Sequence, residues 1–159
     1  MQKFSLEIRW GVVFFATTLC WMLLERVAGL HDQRIELHPV ISGLFFIPAV
    51  AVYVLALRAK KRQLGGTASY KQLLVSGLII TGVVTLLSPL AQYITSYWIT
   101  PDYFRNMIDY SVRNGKLTQE EAEATFNFKS YVQQTVVFTP AAGILTTVIA
   151  AFFIRSRQR

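Results

Sequence analysis

The sequence predicts an all-α fold: an integral membrane four-helix bundle, N-in/C-in, with an extracytoplasmic helical hairpin between spans three and four. Three observations predict it. Four uncharged apolar stretches, residues 10–24, 39–57, 73–99 and 136–154, are each wide enough, alone or with their flanks, to cross a bilayer as a helix. The charged residues lie between these stretches, whereas a soluble helix would carry them along its solvent face. Basic residues crowd onto every second connection.

The 159 residues are 53% hydrophobic and carry a net charge of +7. A charge in hydrocarbon costs roughly 2.5–3.5 kcal/mol even on the mildest scale, so charge-free runs point to a membrane. One membrane domain, 1–159, uses nearly the whole chain and leaves no room for a separate soluble catalytic domain. With the N-terminus placed in the cytoplasm, ten basic residues fall inside: Lys3, Arg9, Arg58, Lys60, Lys61, Arg62, Lys71, Arg155, Arg157 and Arg159. A single acid, Glu7, opposes them, whereas the outer side carries six basic residues against eight acids. Lysine and arginine excess on short loops sets orientation, so both termini are expected to be cytoplasmic. Arg58, Lys60, Lys61 and Arg62 are the candidate contact with anionic headgroups, at about 1 kcal/mol per basic residue. The same cluster is short and has no aromatic stacking platform, which argues against nucleic acid.

The first span, about 6–28, has an uncharged core of only 15 residues, roughly 22 Å against a hydrocarbon thickness of about 30 Å. It must recruit its flanks, which puts Glu25 and Arg26 near the outer boundary, where Arg26 can snorkel. Lys3 and Arg9 resemble the start of a secretory signal, but Glu25 and Arg26 stand where a small-residue cleavage site would be, so an uncleaved helix is expected. Cys20, the single cysteine, lies inside this span, which rules out an intramolecular disulfide.

Span two, 39–57, opens on Pro39, suited to a first helical turn, and Pro48 predicts a kink. Gly65-Gly66 marks the reversal into span three, 73–99, which is longer than the hydrocarbon requires and bends at Pro89. In the outer segment 100–134, Thr100 is expected to cap a helix with Pro101 at its first position and Gly115 to stop it. Phe104, Met107, Ile108 and Val112 share one face of that helix. Thr118 and Glu121 form a capping box opening a second helix, which feeds span four, 135–154.

Span three carries a polar face of Gly77, Thr81, Thr85, Ser88, Gln92 and Ser96, and span four carries small rows through Gly143, Thr147 and Ala151 and through Ala142, Thr146 and Ala150. Close helix packing accounts for such faces in lipid, and a solute path is the functional alternative. Spans two to four hold no ionisable group of the kind an ion or proton pump needs. His31, Asp32, Glu36 and His38 are acceptable zinc ligand types, but the spacing fits no standard motif, so a solvated turn is expected, with no metal and no cofactor. There is no G-x-S-x-G, H-E-x-x-H or phosphate-cradling loop, hence no catalytic residue to assign. Tyr97, Trp98, Tyr103 and Phe104 head an aromatic group at the outer end of span three, expected to be an interfacial belt with an outer surface for lipid or a partner.

The order of features is itself informative. A basic glycine-containing loop leads through Ala68-Ser69-Tyr70-Lys71 into a span that ends in Ile99-Thr100-Pro101-Asp102-Tyr103. Gly115-Lys116-Leu117-Thr118-Gln119-Glu120-Glu121 follows, then a span with Thr139-Pro140 and a basic end. This pattern resembles the small four-helix bacterial membrane proteins grouped as domain of unknown function 4199. The resemblance implies an inner-membrane protein with periplasmic outer loops, and no functional site to carry over. The expected role is non-enzymatic interaction or assembly, with the bilayer, a membrane or periplasmic protein and a second copy as partners. A small-solute transporter or channel component built on span three is the alternative.

Overall fold

A computed structural model describes residues 4–156. Lys3, Arg157 and Arg159, counted above on the cytoplasmic side, lie outside the described residues. Helices dominate, and no strand occurs among the described residues. The long elements are α1 (Ser5–Val27), α2 (His38–Gly43) continued by α3 (Phe46–Gln63), α4 (Tyr70–Ile94) continued by a π-helical turn (Thr95–Ile99), and α7 (Phe128–Ile154). Between the third and fourth lie the short helices α5 (Tyr103–Arg113) and α6 (Gln119–Thr125). Four helical stretches, Ser5–Val27, Ile35–Gln63, Tyr70–Ile99 and Phe128–Ile154, are long and apolar enough to cross a membrane.

Local signals set the ends of these helices. Ser69 accepts from the Gln72 backbone N–H while the Gln72 side chain accepts from Ser69 N–H, a reciprocal cap that starts α4. Thr118 and Glu121 do the same for α6, and accepting the Thr118 backbone N–H lowers the pKa of the Glu121 carboxyl. The first helix of the outer segment begins two residues later than Thr100 and Pro101 suggest. The Thr100 hydroxyl donates backwards to the Thr95 carbonyl, and Asp102 becomes the N-cap of α5. Prolines shape the spans differently. Pro48 lacks the N–H that would bond the Leu44 carbonyl, Ile47 takes that carbonyl instead, and the second span breaks between α2 and α3. Pro89 leaves α4 continuous, because the Ser88 hydroxyl donates to the Thr85 carbonyl that Pro89 cannot serve.

α4 packs most extensively against α7 and next against α1, while α3 touches α1, α4 and α7. At the end carrying the termini these contacts are close. A Cβ on Gly77 would fall within the Thr147 side chain, one on Gly143 within Thr81 and the Tyr53 hydroxyl, and one on Gly11 within Val83. Leu57, Leu73, Ala150 and Ala151 fill the space beside them. Small residues allow this backbone approach, which drives helix association where lipid is as apolar as the side chains.

Two acids are buried on α1, Glu7 at 1% exposure and Glu25 at 2%. Glu7 Oε1 accepts from Lys60 Nζ of α3 at 2.9 Å and from the Ser76 hydroxyl of α4 at 2.8 Å. Glu25 therefore does not sit at a wet boundary, and Glu7 is an internal tie among three helices.

Gly77→Val should destabilise the α4–α7 contact by about 1–3 kcal/mol or more, whereas Gly82→Ala, where a Cβ meets open space, should be neutral or stabilising; thermal unfolding in detergent compares them. Glu7→Leu should destabilise by about 1–3 kcal/mol by leaving the partly buried Lys60 and the buried Ser76 hydroxyl without their acceptor, and adding Lys60→Met should recover part of that loss in the same measurement.

Candidate functional site

The helices part in the half of the fold farther from the termini. There a cavity of about 770 Å³ opens between all four spans. Phe14, Thr18 and Met22 of α1 line it, with Ser42, Phe45 and Tyr53 of the second span, Val84, Ser88 and Gln92 of α4, and Thr139, Ala142 and Thr146 of α7. Phe46 and Phe138, both exposed, stand on two of the walls. Phe14 holds one wall by edge contacts to Phe45 and Tyr53, at ring-centre distances of 6.0 and 5.7 Å. The lining is predominantly apolar, and its polar groups are largely engaged. Gln92 donates to the Ser96 hydroxyl at 2.8 Å, and Ser88 to the Thr85 carbonyl at 2.9 Å. Such a space can hold an apolar chain and offer a few hydroxyl or amide contacts to a polar end.

A polar cluster closes the far end. Gly29, at φ 75°, lets the chain turn sharply after α1: its N–H bonds the Arg26 carbonyl and Leu30 N–H bonds the Glu25 carbonyl. That turn brings His31 back onto the Glu25 side chain, with Nε2 3.1 Å from Oε2. A 3₁₀ turn at Ile35–Leu37 then starts the second span and points His38 Nε2 at the same oxygen, 3.6 Å away. The other oxygen, Oε1, accepts from Trp21 Nε1 at 2.5 Å and from the Ser42 hydroxyl at 2.6 Å. Tyr103 of α5 closes the cluster, its hydroxyl 3.3 Å from His38 Nδ1 and 3.1 Å from the Tyr131 hydroxyl. Burial pushes the Tyr103 hydroxyl well above its ordinary pKa, so it remains a neutral donor and acceptor. Asn106 of α5 donates to the His31 carbonyl and holds the connection in place.

These positions separate the sequence-derived candidates. The polar face of α4 divides in two. Gly77 and Thr81 pack against α7, Thr81 also meeting the Tyr53 hydroxyl, whereas Ser88 and Gln92 line the cavity. Thr85 Oγ1 is buried with no hydrogen-bond partner among the described residues, and Ser96 is buried under Gln92. Among the basic candidates, Lys60 is committed to Glu7 and Lys61 donates to the Ile154 carbonyl at the end of α7, while Arg58 and Arg62 are exposed. Tyr97 and Trp98 are exposed and Phe104 is half-buried, but Tyr103 is buried and does not belong to an outer surface. The connection between His31 and His38 is solvated at Asp32, Gln33, Arg34 and Glu36, but its histidines are not: His31 is buried and both rings face Glu25. Trp21, Ser42 and Asn106 were not singled out from the sequence, and Glu25 was placed only at the outer boundary of the first span. The available signal was Gly29, a helix stop that folds the following residues back over the last turn of α1.

Neither the curated proteins nor the solved structures include a match to this chain. A family model described as protein of unknown function (DUF4199) matches residues 9–156, which takes in the last three spans whole and the first from Arg9 onwards. The chain belongs to that family.

Proposed function

We propose that this protein is a non-enzymatic binding protein of the bacterial inner membrane that takes the acyl chain of a membrane amphiphile into the cavity between its spans. The observation carrying this reading is the cavity itself. Its 770 Å³ lies within the about 300–1,000 Å³ typical of small-molecule sites, and it sits in the apolar stretch of four helices suited to a bilayer. An apolar chain loses no hydrogen bonds on entering such a space, while Gln92 and Ser88 offer limited polar contact to a headgroup or ester. Exposed Tyr97 and Trp98 add an interfacial surface for lipid or for a membrane or periplasmic partner. A solute path is the second reading, carried by the same two α4 side chains. It requires a wet cavity, so finding an acyl chain there favours binding over passage.

Both termini and the Arg58–Arg62 connection face the cytoplasm in this proposal, and the α5–α6 hairpin faces the periplasm. The support is the asymmetry of basic residues between the two sides.

Full-length protein purified in mild detergent should retain an amphiphile detectable by native mass spectrometry. Ala142→Trp, which fills the cavity from α7, should reduce its occupancy roughly tenfold, or about 1.4 kcal/mol. A wild type that carries nothing, or equal occupancy in a folded Ala142→Trp, would sink the reading. For orientation, a reporter active only in the periplasm should stay silent when fused after Arg159 and become active when inserted near Gly115. The reverse pattern would invert the topology.

A further inference from the structure

The cluster at the far end of the spans is built from ligand types, and its geometry goes beyond what a hydrogen-bonded carboxylate needs. Glu25 Oε1 is saturated by two donors, Trp21 Nε1–H and the Ser42 hydroxyl. The second oxygen is faced by two imidazole nitrogens at 3.1 and 3.6 Å, and each of the three residues offers a ligand atom within 4.8 Å of those of the other two. The longer separation exceeds a hydrogen bond, so His38 Nε2 is aimed at Oε2 without bonding it. His31 Nδ1 is buried and has no hydrogen-bond partner among the described residues, so that ring's polar engagement there is through Nε2.

We propose that Glu25 Oε2, His31 Nε2 and His38 Nε2 bind one divalent first-row transition cation, with zinc as the reference ion. Bonds of about 2.0–2.1 Å around a tetrahedral ion set neighbouring ligand atoms about 3.3–3.4 Å apart. The observed 3.1 and 3.6 Å bracket that spacing. Two imidazoles with one carboxylate suit zinc and its neighbours, whereas magnesium and calcium take oxygen ligands. The groups around His38 and Glu25 also fit. Tyr103 lies against His38 Nδ1, the ring nitrogen that would not ligate, and the non-ligating Glu25 oxygen is held by two hydrogen bonds. Asn106 fixes the backbone of His31. A dication beside Glu25 would neutralise its buried charge, and three protein ligands leave a fourth position for water or an external donor. The cluster draws on α1, the connection after it and α2, so the ion would tie the first two spans together. The proposal does not rest on what occupies the cavity.

The experiment uses the full-length protein in detergent, stripped with chelator. Zinc added back should bind at one per chain and raise the unfolding temperature, with magnesium as the control that does neither. Cobalt should give the visible absorption of a four- or five-coordinate nitrogen–oxygen site. His31→Ala and His38→Ala should each weaken zinc binding at least about 100-fold, and Tyr103→Phe by about 10–100-fold. A wild-type unfolding temperature indifferent to zinc would overturn the proposal. So would one zinc per chain retained at full affinity by both histidine variants, since the ion would then sit elsewhere. Should a variant fail to fold, the zinc-against-magnesium comparison and the cobalt spectrum of the wild type still decide between the outcomes.

Discussion

Everything in this structure depends on how α1 buries two carboxylates. Glu7 and Glu25 stand 18 residues apart, which is five helical turns and roughly 27 Å, so they lie on one face of the helix, one near each end. An unpaired charge at either position would cost more than the apolar contacts of so short a span could offset. Each acid must be met by other helices, and meeting both fixes the rotation of α1. Lys60 and Ser76 do this at one end and His38 and Ser42 at the other, where His31 of the connection and Trp21 of α1 itself add to them. Between the acids the same face presents Gly11 to Val83 and then Phe14 to Tyr53 and Phe45.

That rotation explains why one half of the fold is close-packed and the other encloses space. Near the termini, glycines on α1, α4 and α7 let backbones approach, and Leu57, Leu73 and Ala151 are fully buried between them. In the other half, aromatic rings such as Phe14, Phe45 and Tyr53 stand beside small residues such as Gly43 and Ala142 on the inward faces, and the second span breaks between α2 and α3; the cavity lies among them. The polar face of α4 crosses from one regime to the other, which is why its residues do different things. Thr81 packs while Gln92 faces the cavity, although both belong to one continuous stripe.

The spans were legible because an uncharged run of sufficient length has few other uses, and the reciprocal caps at Ser69 and Thr118 because their bonds are local. Glu7 and Glu25 were not legible. Their burial depends on Lys60, 53 residues away, and on a loop that folds back through Gly29, and neither partner is visible in a hydropathy pattern. Tyr103 failed for a related reason. An aromatic residue near a membrane surface satisfies the belt pattern whether its hydroxyl faces water or, as here, meets His38 and Tyr131 inside the fold. Composition describes which residues tolerate an environment. It does not say which of them will be buried together.

Ser42 is the residue that joins the two regions. It lines the cavity and its hydroxyl donates to Glu25 Oε1 at 2.6 Å, so the polar cluster and the apolar space share one residue of the second span. A hydrogen bond to a charged acceptor is worth roughly twice one to a neutral acceptor. The hold on this part of the wall therefore depends on Glu25 keeping its negative charge. Phe45, three residues on, is fixed by Trp21 and Phe14, both of α1. The wall of the cavity and the environment of the acid are thus set by the same short stretch of backbone, the one the break before α3 releases from regular helix. A shift of the second span that repositions His38 against Glu25 must also move Ser42 and Phe45, and with them the width of the cavity.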